Sequence, residues 1–570
     1  MLVAGLIDNH DEIAALFGKP FASQSELYGA ALERWGDRAD DRLIGSFTTI
    51  TALPDGTMRL SRSPWCNLPL FYARDRTALV AASVPRAIFA AGWPQELREE
   101  AIARMLVYRF DHDEATPFAG VSEVPVGTIA LVTRESVRLN RWYDPVTAAK
   151  LVRFKSDDDY VEAGRAVLDE AARAALRPSR RPGATLSGGL DSPLVAGALA
   201  RHIAPPGKLR TYTFHPLEEW SGKVPPRFFP DDRPYVREFL KLHPQIEGRF
   251  VENRGVSFDS FDERLARAGS STYGGGSAIS AIVYGCYAAA AEDGCDWMFT
   301  AYDGNLTIST EASWGLPELF RRGQWRQLWL AARARHADPR PIWRRAVAHG
   351  VMPNLPYALR QRVRAWVHRG DPDYGVVSPL VRTDGLVGQM ADYPPGEGVC
   401  SVTGEVATRA QWLRELYRLS GYNGVNDIAT EEVFGLRTRD VTRYRPLIEF
   451  FGGVPTEQFL RDGQTRWLGR RMAKGMMPEA QRLNPLHGIH NADWHMRMTP
   501  RLPELHARVE AMIDHPLVGP MIDADNARAL LDDWPAEAPD DASYGCVWRF
   551  DLAGALLITD YVNVMTGRNQ

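Results

Sequence analysis

The chain has 570 residues, 45% hydrophobic and 24% charged, with a net charge of −4. That length exceeds a single hydrophobic core, so two or more domains are expected, and the charge gives no global pull toward nucleic acid or a membrane. Five scattered cysteines (Cys66, Cys286, Cys295, Cys400 and Cys546) form no CxxC pair, which argues against a zinc ribbon or a disulfide framework and fits a reducing cytoplasm.

Met1–Asp8 meets an acid within eight residues and has no basic segment, so it does not read as a secretory signal. No uninterrupted apolar run reaches membrane-spanning length; the C-terminal one is broken by Arg549, Asp551 and Asp560. Residues 1 to about 146 read as strands and turns. A helix is expected over Glu26–Trp35. A β-rich run, Gly45–Leu53, ends in the turn Pro54-Asp55-Gly56; alternating Met58–Arg62 and then Leu70–Ala73 follow.

A boundary is expected near Asp144-Pro145-Val146, giving domains over 1–146 and 147–570. Ser156-Asp157-Asp158-Asp159 opens a helix whose acids suit the N-terminal dipole, with Val161, Leu168, Ala171 and Ala175 on its apolar face. Then comes Thr185-Leu186-Ser187-Gly188-Gly189-Leu190-Asp191-Ser192-Pro193. Thr185 and Leu186 suit the end of a buried strand. Gly188 and Gly189 remove side chains where amides approach a ligand. Ser192 is expected as the N-cap and Pro193 as the first helical residue. Backbone N–H groups at a helix start make an anion site. Asp191 repels phosphate but can hold a Mg²⁺ that binds it. Lys208–Phe214 reads as a strand, Ala281–Ala290 as a helix and Trp297–Thr300 as a buried strand. That alternation implies a doubly wound parallel sheet with ligands at the strands' carboxyl ends.

Ser187–Ser192 resembles the SGGxDS pyrophosphate loop of the ATP pyrophosphatase family that includes asparagine synthetase; no GxxxxGK[ST] loop occurs. The resemblance implies ATP and Mg²⁺, with Leu186, Ser187, Gly188, Gly189, Leu190, Asp191 and Ser192 around pyrophosphate. It places the adenine pocket at the strand carrying Tyr212 and Phe214. The first half resembles the glutamine amidotransferase domain of the same enzymes at Arg42–Phe47, Ser61–Trp65, Pro69–Tyr72, Pro117–Val121 and Val124–Thr128. Those enzymes use an N-terminal cysteine. Here position 2 is Leu2, and Cys66 is internal, so this half is expected to be a degenerate, β-rich relic of the N-terminal-nucleophile type. The fold class implied is α/β, joining that domain to an asparagine synthetase-like one.

Ala301–Ser309 follows the strand Trp297–Thr300. Related enzymes place a Mg²⁺-binding acid here, which falls at Asn305, with Asp303 the nearest acid; both join Asp191 as expected metal ligands. Tyr302 matches a tyrosine of β-lactam synthetases and is expected to be catalytic. Gly304–Ser309, Gly315–Leu319 and Arg321–Trp325 resemble the lasso peptide cyclase branch, as does Phe434–Thr442 with Arg445–Phe450, Gly463–Arg466, Arg470–Met472, Pro478–Glu479 and Gly488–Trp494. The family's catalytic lysine is replaced at Leu486 and His487. Arg437, Arg439, Asp440, His487 and His490 are therefore the candidate catalytic groups. A Gly between His487 and His490, with no fourth ligand near, argues against zinc across His487, His490 and His495.

Residues 321–369 hold twelve arginines and one acid, Asp338, interleaved with four tryptophans. Solvated helix faces fit, as would a nucleic acid, an anionic membrane or a peptide partner; among the binding readings a peptide or protein partner is favoured. The resemblance as a whole implies an AMP-forming ligase in the cytoplasm. It would close a macrolactam in a leader-processed precursor peptide, with a leader peptidase as partner and neither nucleic acid nor a membrane span. A small-molecule amide synthetase of the β-lactam synthetase type, or a non-catalytic scaffold, are the alternatives.

Overall fold

The computed structural model describes residues 1–107, 114–225, 228–270, 280–335, 338, 340–367, 378–391, 406–421, 424–489, 491–539 and 547–567. His490, Cys400 and Cys546 lie outside them. The first part of the chain forms β1 (Leu2–Ile7), β2 (Gly45–Ala52), β3 (Met58–Arg62), β4 (Phe71–Arg74), β5 (Leu79–Ala82), β6 (Val121–Glu123), β7 (Thr128–Val132) and β8 (Val137–Arg141). An antiparallel sheet runs β1-β2-β3-β7-β8, and a smaller one runs β5-β4-β6. The alternation read at Met58–Arg62 sorts its two faces. Leu60 packs into one core cluster, while Arg59 and Ser61 turn to the buried carboxylate of Asp40, Arg59 at 2.6 Å. The expected helix spans Gln24–Trp35, capped by Ser23.

The second part holds β9 (Pro182–Thr185), β10 (Leu209–Phe214), β11 (Phe228–Phe229), β12 (Ile246–Val251), β13 (Trp297–Thr300), β14 (Arg437–Asp440) and β15 (His487–Gly488). Its main sheet is wholly parallel, in the order β12-β10-β9-β13-β14. The overall fold is thus α/β, with an antiparallel N-terminal part and a parallel-sheet second part, as the sequence implied. The triple acid at 157–159 serves the helix Asp157–Leu176: Ser156 and Asp159 form a reciprocal capping box, and Leu168, Ala171 and Ala175 are buried. The helix Asp191–Ala200 is buried from Ser192 onward, as an all-apolar helix inside a large domain must be.

The two sheets meet edge to edge. β1 ends one sheet and β14 ends the other, and both line a cavity of about 450 Å³ together with Ser46, Trp65, Asp427 and Arg443. Arg439 of β14 bonds Asp8, just past β1, at 2.6 Å, and Arg177 donates to the carbonyls of Ile7 and Asp8. Trp65 Nε1 donates to Tyr143 Oη at 2.8 Å, and Tyr143 donates to Glu449 at 3.0 Å. Among the described residues no helix is long and apolar enough to cross a membrane.

Candidate active site

Parallel register fixes which residues reach the carboxyl end of the sheet. Ala184 stands beside Phe299, Tyr212 beside Thr185, and Thr300 beside Asp440. The loop after β9, the turn after β13 and the end of β14 therefore open on one rim. Leu186 is buried; its N–H donates to Tyr212 O at 3.0 Å and its carbonyl accepts from Thr213 Oγ1 at 2.7 Å. The loop is held by its own atoms. Ser187 N donates to Ser192 Oγ at 2.8 Å, and the two hydroxyls pair at 2.9 Å. Gly189 N reaches Ser187 Oγ at 3.3 Å. The helix begins two residues earlier than expected, at Asp191, with Leu190 as N-cap and no side-chain cap bond. Ser192 is thus not the N-cap and Pro193 is not the first helical residue: the Ser192 hydroxyl is drawn back to the loop amide.

Asp232 is the neighbour that the sequence did not reveal. It precedes the helix Arg233–Leu242 without capping it, and its Oδ1 accepts from Gly188 N at 2.5 Å. Burial pushes its carboxyl up to about 6. A side chain at Gly188 would stand 2.8 Å from Tyr235 and 3.0 Å from that carboxylate. The glycine there makes room for a protein carboxylate as well as for a ligand. Gln481 Nε2 donates to Gly189 O at 3.1 Å, tying the 479–488 stretch to the loop.

Asp191 behaves as a metal ligand should. Its carboxylate is buried, its Oδ1 has no hydrogen-bond partner, and burial pushes its proton affinity up, opposed by Arg466. An unpaired buried oxygen of this kind fits Mg²⁺. Gly304 packs directly against it: a Cβ there would lie 2.5 Å from Asp191 Cβ and Cγ. Gly304 belongs to the turn Tyr302–Leu306, so Asn305 lies in the same turn, with its side chain exposed. Asp303 does not fit the expected role. Its Oδ2 accepts from Arg443 Nε at 2.6 Å, and its N–H donates to Asp440 Oδ2 at 2.8 Å. Among the described residues no group of three or more His, Cys, Asp or Glu is placed to hold a metal.

Asp440 also accepts from Thr442 N and Oγ1, at 2.8 and 2.6 Å. Burial, then repulsion from Asp303, pushes its carboxyl up, and Arg443 opposes the shift. Arg443 binds both loops and the first domain. Beyond Asp303 it donates to Asn67 Oδ1 at 2.8 Å and to Ser420 O. Asn67 in turn donates to Asp427, which also accepts from Thr438 Oγ1 at 2.5 Å.

The other expected groups divide. Tyr302 lies on the rim, 51% exposed, with its hydroxyl 3.3 Å from that of Tyr287. Phe214 is at the carboxyl end of β10, with the Arg497 guanidinium 5.7 Å from its ring centre. Tyr212 is 1% exposed, and its hydroxyl donates to Asp293 at 2.9 Å, so it belongs to the core and not to an adenine pocket. Arg437 stands opposite Trp297, at the amino end of β14, where it bonds Glu431 at 2.6 Å. Strand direction thus separates it from the loop. Arg439 is spent on Asp8 and on Ala174 O.

His487 lies on β15, which pairs with β11, and a Cβ on the adjoining Gly488 would stand 3.7 Å from Asp232 Oδ1. Burial, then Arg466, lowers the proton affinity of His487. Sequence reasoning gave Arg466 no role. It has left-handed backbone at φ 57°, opens the helix Trp467–Met472, pairs with Glu311 at 3.1 Å, and acts electrostatically on both Asp191 and His487. Arg470 beside it donates to the carbonyls of Arg482 and Asn484, shaping the stretch that ends in Leu486 and His487.

Comparisons with known proteins agree with this arrangement. A family model described as asparagine synthase matches residues 163–554, and one described as a glutamine amidotransferase domain matches residues 1–143. Putative glutamine-hydrolysing asparagine synthetases of Mycobacterium bovis and Mycobacterium tuberculosis are 26% identical over 207 residues. That stretch is 34% of this chain and 31% of each relative, so the match spans about a third of their length.

Proposed function

From the premise that the chain belongs to the asparagine synthase family, matched over residues 163–554, we propose that it is an ATP-dependent, AMP-forming amide ligase that closes a macrolactam in a leader-processed peptide. The observation that carries the ligase reading is the unpaired, buried Asp191 Oδ1 at the mouth of an intact Ser187–Ser192 loop. In the first step an Asp or Glu side-chain carboxylate of the peptide attacks the α-phosphorus of ATP. The bond to pyrophosphate breaks, and the Ser187–Ser192 loop holds the leaving group. Bound at Asp191, Mg²⁺ would neutralise phosphate charge. Arg466, whose charge acts on Asp191, is the cation proposed in place of the lysine absent at Leu486. Removing one such donor typically lowers the rate by roughly 10²–10³-fold.

In the second step the peptide's N-terminal amine attacks the acyl carbon. The acyl–oxygen bond to AMP breaks, and the amine gives up a proton; neutral His487 is the proposed acceptor. Leu2, at the position where the resembled enzymes carry cysteine, supports a substrate amine over ammonia from glutamine. Ring closure gains from holding both ends together, where effective molarities of roughly 10⁵–10⁸ M are attainable. The partners proposed are the precursor peptide and a leader peptidase. Tyr302 on the rim supports the second reading, a small-molecule amide synthetase of the β-lactam synthetase type.

The test is to incubate the full chain with ATP, Mg²⁺ and leaderless precursor peptides encoded beside its gene. AMP, pyrophosphate and a peptide lighter by one water are expected. Formation of ADP, or AMP formation driven only by a small β-amino acid, would overturn the peptide reading.

A further inference from the structure

Eighteen large hydrophobic side chains are exposed among the described residues, and eight of them fall within residues 325–367. They include all four exposed tryptophans: Trp325, Trp329, Trp343 and Trp366, between 48% and 74% exposed. The same segment holds nine arginines, no lysine and one acid, Asp338, which is already paired with Arg340 and His349. It therefore carries +8, leaving −12 on the rest of a chain whose total is −4.

The pattern repeats on three successive elements. On the helix Trp325–Ala334, Leu328, Ala331 and Ala332 point inward. Trp325, Trp329 and Arg333, at i, i+4 and i+8, share the outer face with exposed Arg326. That helix packs on the helix Ile342–Ala346, whose outer side shows Trp343, Arg344 and, in the following turn, Val347. On the helix Tyr357–Val367, Leu359, Arg362 and Trp366 fall at i, i+3 and i+7 on one exposed face. Arg326, Arg333 and Arg362 have no carboxylate partner among the described residues. Each element thus turns a tryptophan-and-arginine face outward, and the first also turns an apolar face to the core.

We propose that this surface docks the enzyme onto an anionic lipid bilayer, with the indoles at headgroup level and the guanidinium groups on lipid phosphates. Charge complementarity requires an anionic partner. The side chains select the kind. Protein hot spots gather in the desolvated centre of one patch, whereas these tryptophans stand out singly along three elements, each with arginine beside it. A nucleic acid has no use for exposed Leu359, Val347 and Val367. The inference is independent of the reaction proposed above.

The test uses the full chain and sedimentation with unilamellar vesicles of phosphatidylcholine, alone or with about 30 mol% phosphatidylglycerol. Binding is expected only to the anionic vesicles, with a blue shift in tryptophan fluorescence. Raising NaCl from about 0.1 M to about 0.5 M should weaken it roughly tenfold or more. Trp325→Ala/Trp329→Ala/Trp343→Ala/Trp366→Ala and Arg326→Gln/Arg333→Gln/Arg362→Gln should each lose roughly tenfold or more in binding, with circular dichroism and melting temperature unchanged. No sedimentation of the unsubstituted protein with anionic vesicles overturns the proposal. So does equal binding to both vesicle types, or binding to a poly-glutamate peptide or an oligonucleotide as tight as to the anionic vesicles.

Discussion

Replacing Asn67 by Leu tests whether the first domain holds the catalytic rim in place. Asn67 accepts from Arg443 at 2.8 Å and donates to Asp427. Leu has similar bulk and neither function. Arg443 would keep Asp303 at 2.6 Å and Ser420 O but lose one charge-assisted acceptor. A bond of that class is worth roughly 1.5–3 kcal/mol. Asp427, already pushed up to about 6 by burial, would keep only Thr438 as donor and rise further. If the loss falls on the position of the Tyr302–Leu306 turn, adenylation should slow roughly tenfold to a hundredfold. ATP–pyrophosphate exchange across a Mg²⁺ titration measures it. Asn67→Asp is the control, since it keeps an acceptor for Arg443 but sets a like charge against Asp427; it should retain more exchange below about pH 6 than above it. Exchange by Asn67→Leu at the unsubstituted rate at every Mg²⁺ concentration would refute the reasoning. A loss no larger than the unfolded fraction seen by circular dichroism would refute it too.

Asp191→Asn should reduce exchange by roughly 10²–10³-fold or more while leaving the melting temperature equal or higher, because it removes a buried, unpaired charge; a collapsed melting temperature would contradict the ligand role. Arg439→Ala should cost about 3–5 kcal/mol in denaturant unfolding, since Asp8 would stay buried without its cation, whereas Arg437→Ala, at the far end of β14, should leave exchange within about twofold. For Asp232 the folded carboxyl titrates near 6, above its ordinary value of 3.8. The folded state therefore binds the proton more readily, and this group's penalty on stability is full above about pH 6 and vanishes below about pH 4. Asp232→Asn should remove that slope from the melting temperature measured across this range; an unchanged slope places the titration elsewhere.

Local pattern carried most of the architecture. Met58–Arg62 and Trp297–Thr300 form strands at the expected residues because alternation, or a short apolar run next to turn residues, leaves little choice. The pyrophosphate-type loop was legible because glycines, hydroxyls and an acid crowd into six residues. What was not legible depends on direction and distance along the sheet. Arg437 and Asp440 are three residues apart in sequence but at opposite ends of one strand, and only the register with β13 says which end faces the rim. Tyr212 looked available because the resemblance places the adenine pocket at its strand; Asp293, 81 residues away, occupies its hydroxyl. Asp232 and Asn67 carry no motif of their own, and Gly463–Arg466 gave Arg466 a resemblance but no role. Each acts on a loop that the chain reaches from far away, and such contacts leave no periodic trace.

The two edge strands have an evolutionary consequence. An open strand edge is a template for unwanted pairing between chains. Here β1 turns toward the cavity beside β14, and Asp8 is bonded to Arg439. Deleting the first domain would therefore strip the cover from β14 and release a hazard of aggregation. A lineage could change the chemistry of this domain at no structural penalty, yet it could not then discard the domain. The first domain is held in place by what its removal would expose, so its persistence would not depend on an activity of its own.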